Sequence, residues 1–317
     1  MKQKSCIGSL SSTKLSLTCK RAGERVNKGV WTTVGAYIMW GVLPIYWKFL
    51  QEVPSGQILA HRILWSFLFI LLVLRWTNQW KEFGYALRHR ATRNAFMLNG
   101  FIVSANWFVY IWAVNHGYII EASLGYYINP LVSMVLGVLV FRESLNRVQW
   151  MAVGIASIGV LVLTLGYGTF PWISFVLAST FGFYGMVKKR RPLASTVSLG
   201  IETLAVVPVA LLFLGNQVVT DNIAYNMSPV IWIALLGTGV VTALPLLLFG
   251  YGAQHIPFTL VGFLQFIAPT LSLIIGVVMY HEPFTAYHVF AITCIWLAIF
   301  FFSWNSWVVA RKRRQLI

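Results

Sequence analysis

Apolar residues come in long runs along this chain, separated by short polar linkers. Ten runs of about 17–25 residues stand out: 30–47, 55–74, 95–114, 119–140, 148–165, 171–187, 196–214, 229–250, 258–279 and 286–307. This is the length an α-helix needs to cross ~30 Å of hydrocarbon at about 1.5 Å per residue. The sixth is the weakest, being short and rich in Gly and Ser. No linker is long enough for a soluble domain. The pattern predicts an all-α polytopic membrane protein with ten transmembrane helices.

A second pattern overlies the first. His116, Ile128, Pro130, Ser133, Gly137, Val138 and Glu143 recur 139 residues later, without a gap, as His255, Ile267, Pro269, Ser272, Gly276, Val277 and Glu282. Coincidences of Ile, Val and Gly are cheap in an apolar chain, so His, Pro and Glu carry the information. A fixed offset across the two halves points to a duplicated architecture. Five predicted helices separate the copies, and an odd number reverses their orientation in the membrane. The halves therefore read as two inverted five-helix repeats, 29–167 and 168–307, flanked by basic cytoplasmic tails at 1–28 and 308–317. Inverted repeats place a binding site at their interface near the midplane and permit one opening to each side.

Composition agrees with this class: the 317 residues are 58% hydrophobic and 10% charged, with mean hydropathy +0.73. The net charge of +16 changes the picture only through its distribution. Lys and Arg cluster at 2–28, 75–93, Arg142 and Arg147, 188–191 and 311–314. With ten crossings and a cytoplasmic N-terminus every cluster is cytoplasmic, and only Lys48 and Arg62 fall elsewhere, as the positive-inside rule expects. These short juxtamembrane flanks suit anionic membrane lipids and argue against nucleic acid. Cys6, Cys19 and Cys294 have neither metal-ligand spacing nor the placement of a disulfide framework. Residues 1–28 lack the apolar core of a secretory signal and read as a solvated tail, with a transit peptide as the alternative.

Ionisable residues within the runs are the candidate chemistry, since each costs about 2.5–3.5 kcal/mol at the bilayer centre unless partnered or hydrated. His61 and Arg62 lie about 10 Å deep in the second run. Glu202 lies at similar depth from the opposite end of the seventh, and Glu121 opens the fourth. Arg62 and Glu202 stand at nearly equivalent positions, 140 apart, and so at different depths; Glu121 is the better partner for Arg62. Either Arg62 and Glu121 lock two helices together, or Arg62 meets an anionic substrate group or tunes a carboxylate, or it snorkels. Glu202 is either a proton carrier or a helix-bonding group.

Pro130 and Pro269 each free a backbone carbonyl at matching depth and are candidate hinges. Ser133 with Gly137, and Ser272 with Gly276, form small-xxx-small pairs suited to close helix packing. Aromatic residues make up 15% of the chain. Trp76, Trp80, Trp304 and Trp307 read as interfacial. Trp40, Tyr46, Asn106, Trp107, Tyr110, Tyr126, Tyr127, Tyr184 and Gln265 sit deeper and either pack the bundle or line a cavity suited to flat, amphipathic or cationic molecules. Glu143 and Glu282, beside helix ends, read as capping or loop contacts. There is no P-loop, GxSxG, HExxH or pair of acids on one helix face, so no enzyme activity, cofactor or metal is expected, and any transport runs on a gradient.

Several strings resemble the RarD family: Gly-Ala-Tyr-Ile-Met-Trp-Gly-Val-Leu-Pro-Ile-Tyr-Trp-Lys (35–48), Ile-Leu-Ala-His-Arg-Ile-Leu-Trp-Ser (58–66), Asn-Trp-Phe-Val-Tyr-Ile-Trp-Ala-Val-Asn (106–115), Glu-Ala-Ser-Leu-Gly-Tyr-Tyr-Ile-Asn-Pro-Leu (121–131) and Gly-Phe-Leu-Gln-Phe-Ile-Ala-Pro-Thr (262–270). That family is a branch of the EamA group of drug/metabolite transporters, associated by name with chloramphenicol sensitivity. The resemblance spans about 28–310. It implies two five-helix EamA repeats in a bacterial cytoplasmic membrane, with the first four helices of each around a central cavity and the fifth outside. The expectation is a secondary transporter of a small organic solute, with protons as candidate coupling ion. A membrane-embedded enzyme and a non-transporting regulatory or lipid-binding protein are the competing classes.

Overall fold

The computed structural model of the chain describes residues 12–116, 118–167, 170–220, 228–280 and 286–315, and among them every regular element is an α-helix. In chain order these are α1 (Ser12–Lys48), α2 (Ser55–Trp76), α3 (Trp80–Arg88), α4 (Arg90–Asn115), α5 (Ile119–Leu139), α6 (Arg147–Tyr167), α7 (Trp172–Arg190), α8 (Ser195–Val219), α9 (Pro229–His255), α10 (Phe258–Gln265), α11 (Ile267–Tyr280) and α12 (Ala286–Gln315). Seven helical stretches of the described residues are long and apolar enough to cross a membrane: Ser55–Trp76, Ala122–Leu139, Arg147–Gly166, Ser195–Val219, Pro229–His255, Phe258–Met279 and Ala286–Asn305. The helices α1, α4 and α7 are less apolar. They carry Tyr46, Asn99, Asn106, Tyr184 and Lys188, which face protein rather than lipid.

Each predicted run lies on helix, with three departures. Helix α1 begins at Ser12, well before its apolar run, so residues 12–28 of the basic tail are helical. The basic linker 75–93 contains α3, a nine-residue amphipathic helix whose Phe83 and Ala86 are buried. Phe83 covers Gly200, where a Cβ would sit 3.0 Å from the ring. The ninth run is interrupted at Phe266, between α10 and α11. Pro269 contributes to the break, since it offers no N–H to the carbonyl of Gln265, and the amide of Phe266 turns back to Phe263 O at 3.4 Å. Pro130, its counterpart, sits inside an unbroken α5.

Packing between α1–α6 and α7–α12 keeps its pattern when the halves are exchanged. Three contacts join corresponding helices: α6 with α12, α2 with α8, and α5 with α10. The other large contacts come in matching pairs: α1 with α9 and α7 with α4, α2 with α9 and α8 with α4, α5 with α7 and α11 with α1; α3, which has no counterpart, packs on α8. Local geometry repeats too. The Nδ1 of His116 lies 2.8 Å from Trp112 O with the rings stacked at 4.7 Å; that of His255 lies 2.7 Å from Tyr251 O with the rings stacked at 4.0 Å. The histidines sit at opposite ends of α7. Trp112 touches Trp172 at its first residue, whereas Lys189 in its last turn donates to the carbonyl of Ile256, next to His255. Nineteen residues place those ends about 28 Å apart.

Close approaches at glycine refine the correspondence. A Cβ on Gly100 would lie 2.3 Å from the carbonyl oxygen of Glu202, and one on Gly239, 139 residues later, 2.5 Å from that of Trp65. The counterpart of Glu202 is therefore Trp65, one turn from Arg62. Only glycine admits backbones this close.

Candidate functional site

Two polar centres lie between the halves, with a cavity between them. The first surrounds Arg62 on α2. Its Nε donates to Thr242 Oγ1 of α9 at 3.1 Å, and its guanidinium carbon lies 4.7 Å from the ring of Trp47 and 4.6 Å from that of Trp107. Tyr110 and Tyr126 lie within electrostatic reach, and their phenols are hydrogen-bonded to each other, their rings edge-to-face at 5.7 Å. Tyr126 is 47% exposed although it stands among these groups, whereas its counterpart Gln265 is 5% exposed. The ring of Tyr126 is thus accessible where its counterpart is packed. Glu202 is not among the partners of Arg62, and the side chain of Glu121 lies outside the described residues.

The second centre surrounds Glu202 on α8, which is buried. Its carboxylate accepts from Asn99 Nδ2 at 3.0 Å and Tyr184 OH at 3.1 Å and pairs with Lys188 Nζ at 2.9 Å. Lys188 also donates to Ser198 Oγ at 2.9 Å and is itself buried. Three side chains from two helices, α4 and α7, thus converge on one carboxylate of α8. Lys188 is the participant that sequence reasoning missed, counted as the first residue of a cytoplasmic basic cluster. A signal was present: the tight connection from α7 to α8 brings Lys188 to Ser198, and Glu202 follows one turn later on the same helix.

The cavity runs between these centres. Its wall is formed by Ile63 and Ser66 of α2, Gly100, Val103, Ser104 and Trp107 of α4, Leu199, Glu202, Thr203 and Val206 of α8, and Thr242 and Leu246 of α9. Trp107 and Thr242 therefore belong both to the cavity and to the Arg62 centre. Glu202 forms part of the other end.

The remaining candidates fall around this axis. His61 Nδ1 accepts from Trp65 Nε1 at 3.1 Å, and its ring meets Trp232 edge-on at 6.0 Å. Tyr46 donates to the carbonyl of Ala234. Asn106 bonds Leu177 O at 2.8 Å and Thr180 Oγ1 at 2.7 Å, tying α4 to α7. Trp40 packs with Tyr37, Phe181 and Phe249, and Tyr184 stacks on Phe249, in an aromatic plug beside Glu202. Gln265 Oε1 accepts from Ser133 Oγ at 3.1 Å. Pro130 and Pro269 lie where α5 crosses the break: Tyr127 OH donates to Pro269 O at 3.3 Å, and a Cβ on Gly262 would meet Pro130 O at 2.7 Å.

Glu143 caps a helix. Arg142 takes a left-handed turn (φ 53°), and the Glu143 carboxylate then accepts from Phe258 N at 2.6 Å and from Thr259 N and Oγ1 at 2.9 and 2.8 Å, with Lys189 Nζ 3.6 Å away. A carboxylate at a helix N-terminus meets unpaired amides and the positive end of the dipole. This cluster fastens the end of α5 to the start of α10. Glu282 lies outside the described residues. The described residues contain no cluster of His, Cys, Asp and Glu able to hold a metal ion.

An all-helical bundle with several membrane-length helices, and with ionisable groups gathered at the contact between two matching halves, is the build of a membrane transport protein. The chain belongs to the EamA-like transporter family, whose sequence profile matches it twice, over residues 27–165 and 170–304. It is 47% identical to the uncharacterized transporter YojE of Bacillus subtilis over 90% of this chain and 97% of that protein. It is 38% identical to protein RarD of Streptomyces exfoliatus over 93% of this chain and 94% of that protein. Protein RarD of Escherichia coli is 34% identical, covering 91% of this chain and 98% of its own length. A solved crystal structure 16% identical to the chain covers 87% of it and 96% of its own chain with a TM-score of 0.68, so the fold is shared.

Proposed function

We propose that the protein is a secondary-active permease for a small organic solute, built from ten crossings in two inverted five-helix repeats, 29–167 and 168–307. The cavity carries this reading. Its wall takes α2 and α4 from one half and α8 and α9 from the other, so a rocking of one half against the other changes which end is open. The histidine pair at opposite ends of α7, and the packing that survives exchange of the halves, support the inversion. The basic residues beside the His255 end support its being the cytoplasmic side of a bacterial inner membrane, with both chain termini on that side in this reading. In this reading the accessible ring of Tyr126 marks the open end, and the contacts of Glu143 with Lys189, Phe258 and Thr259 fasten the cytoplasmic end.

Protons are the proposed coupling ion and Glu202 their carrier. It faces the cavity, and the groups around it are Lys188 and Tyr184 from α7 and Asn99 from α4, with no second acid among the described residues. Protonation of Glu202 would release Lys188 from its ion pair within the second half and change the acceptor that Glu202 offers to Asn99 of the first half, which makes that contact between the halves charge-dependent.

A radiolabelled-metabolite uptake screen in cells expressing the chain tests this directly. Expected is accumulation of at least one small organic solute above empty-vector cells, cut to the equilibrium level by a protonophore, with flux reproduced in proteoliposomes. Purified protein that binds lipid yet moves no solute of the screen would assign the chain to the regulatory or lipid-binding class.

A further inference from the structure

Arg62 has more hydrogen-bonding capacity than the protein uses. A guanidinium carries five N–H donors in a planar fork. One, on Nε, goes to Thr242 Oγ1. The other four, on the two terminal nitrogens, meet no acceptor among the described residues, where the ion pairs are Lys188 with Glu202 and Lys189 with Glu143. Nor are those nitrogens among the buried polar atoms sealed off without a partner. Arg62 is half-buried, and Trp107 and Thr242, which touch it, line the cavity. A charge at this depth without an acceptor is costly, so the arrangement makes sense when something else supplies one.

The surroundings define its chemistry. Trp47 and Trp107 hold the guanidinium carbon at 4.7 and 4.6 Å and fix the side chain by cation–π attraction, leaving its hydrogen-bonding edge free. That edge matches a carboxylate in a two-point contact. The other deep cation, Lys188, is already neutralised by Glu202, so the cavity offers one net positive charge and fits a monoanion better than a phosphate dianion. Next to the fork lie the indole of Trp107 and the half-exposed ring of Tyr126, flat apolar surfaces suited to a planar body.

We propose that Arg62 anchors the carboxylate of a planar, aromatic or conjugated monocarboxylate, with Trp107 and Tyr126 flanking its ring. This rests on the cavity being the solute pathway, and it adds the class of solute.

The test is equilibrium binding, so that its failure is separable from a failure of transport. Full-length protein in nanodiscs is titrated with radiolabelled benzoate, phenylacetate and indole-3-carboxylate, and with benzamide as the neutral isostere of benzoate. At least one acid binds saturably to wild type, and benzamide fails to displace it. Arg62→Gln weakens that binding by about 30-fold or more, the size expected when a charge-assisted two-point contact is lost. Arg62→Lys, which keeps the charge but not the fork, falls between. Gel-filtration profiles and thermal unfolding of both variants matching wild type exclude misfolding. Saturable binding of none of the three acids, equal binding of benzamide, or undiminished binding by Arg62→Gln overturns the assignment. If the uptake screen finds flux of a neutral or cationic solute while these acids do not bind, the transporter reading stands and this one falls.

Discussion

Lys188→Met is expected to be among the most damaging single substitutions in the molecule. It leaves the Glu202 carboxylate buried without its counter-charge, and breaking one partner of a buried pair costs about 3–5 kcal/mol. Asn99 and Tyr184 would still donate to it, but neither carries a charge. The measurement is thermal unfolding of detergent-purified protein followed by fluorescence-detected gel filtration. The single variant should yield little monodisperse protein, and Lys188→Met with Glu202→Gln should recover most of it, because removing both charges removes the penalty. If Lys188→Met alone is as stable as wild type, the pair does not hold the α7–α8 hairpin together in the membrane.

The recovered double variant leads to the second expectation. Glu202→Gln keeps the shape of the side chain but cannot release a proton. In proteoliposomes loaded with solute, exchange across the membrane should continue at a rate near wild type. Uptake against a solute gradient, driven by an imposed pH gradient, should fall to background. Accumulation unchanged in Glu202→Gln vesicles would remove Glu202 as the proton carrier and leave it as a packing group between α4, α7 and α8. The double variant should behave as Glu202→Gln does, stable and uncoupled.

Much of this architecture could be read from the chain. The ten apolar runs fall on helices because length and hydropathy are set by the bilayer, and the His-Pro-Glu register at offset 139 is visible without coordinates. What was not legible had specific causes. Helix α3 hides in a basic linker because nine residues with two buried side chains give little periodic signal. The break before Pro269 and its absence at Pro130 arise from different packing around equivalent prolines, and one chain cannot reveal that from local sequence. Lys188 was masked by its neighbours: a run of four basic residues at a helix end reads as a solvated flank, and only the reach of its stem into the α7–α8 hairpin turns it inward. The Arg62 centre was foreshadowed by depth alone. Its cage of Trp47 and Trp107 joins residues 60 apart in sequence, on α1 and α4. The equivalence of Arg62 with Glu202 was off by one turn, because a single offset fitted to the fourth and ninth runs does not hold for the second and seventh.

Alternating access through one cavity is the claim on which the rest depends, and the contact of α5 with α10 offers the most direct hold on it. A Cβ on Gly137 would lie 2.7 Å from the methyl carbon of Thr259, which Thr259→Cys removes, and 2.9 Å from Thr259 N, so with a small backbone shift the two positions come within reach of a bridge beside the Glu143 cap. In a background lacking Cys6, Cys19 and Cys294, Gly137→Cys and Thr259→Cys are joined by oxidation, and a reporter cysteine replaces the cavity residue Ser104. Labelling by an impermeant thiol reagent, applied after oxidation, is then read from each side of oriented vesicles. With the cytoplasmic end bolted shut, the reporter should label from outside but not from inside, solute flux should stop, and reduction should restore both. Flux that continues through the crosslinked protein, or a reporter that still labels from the cytoplasmic side, would contradict the account.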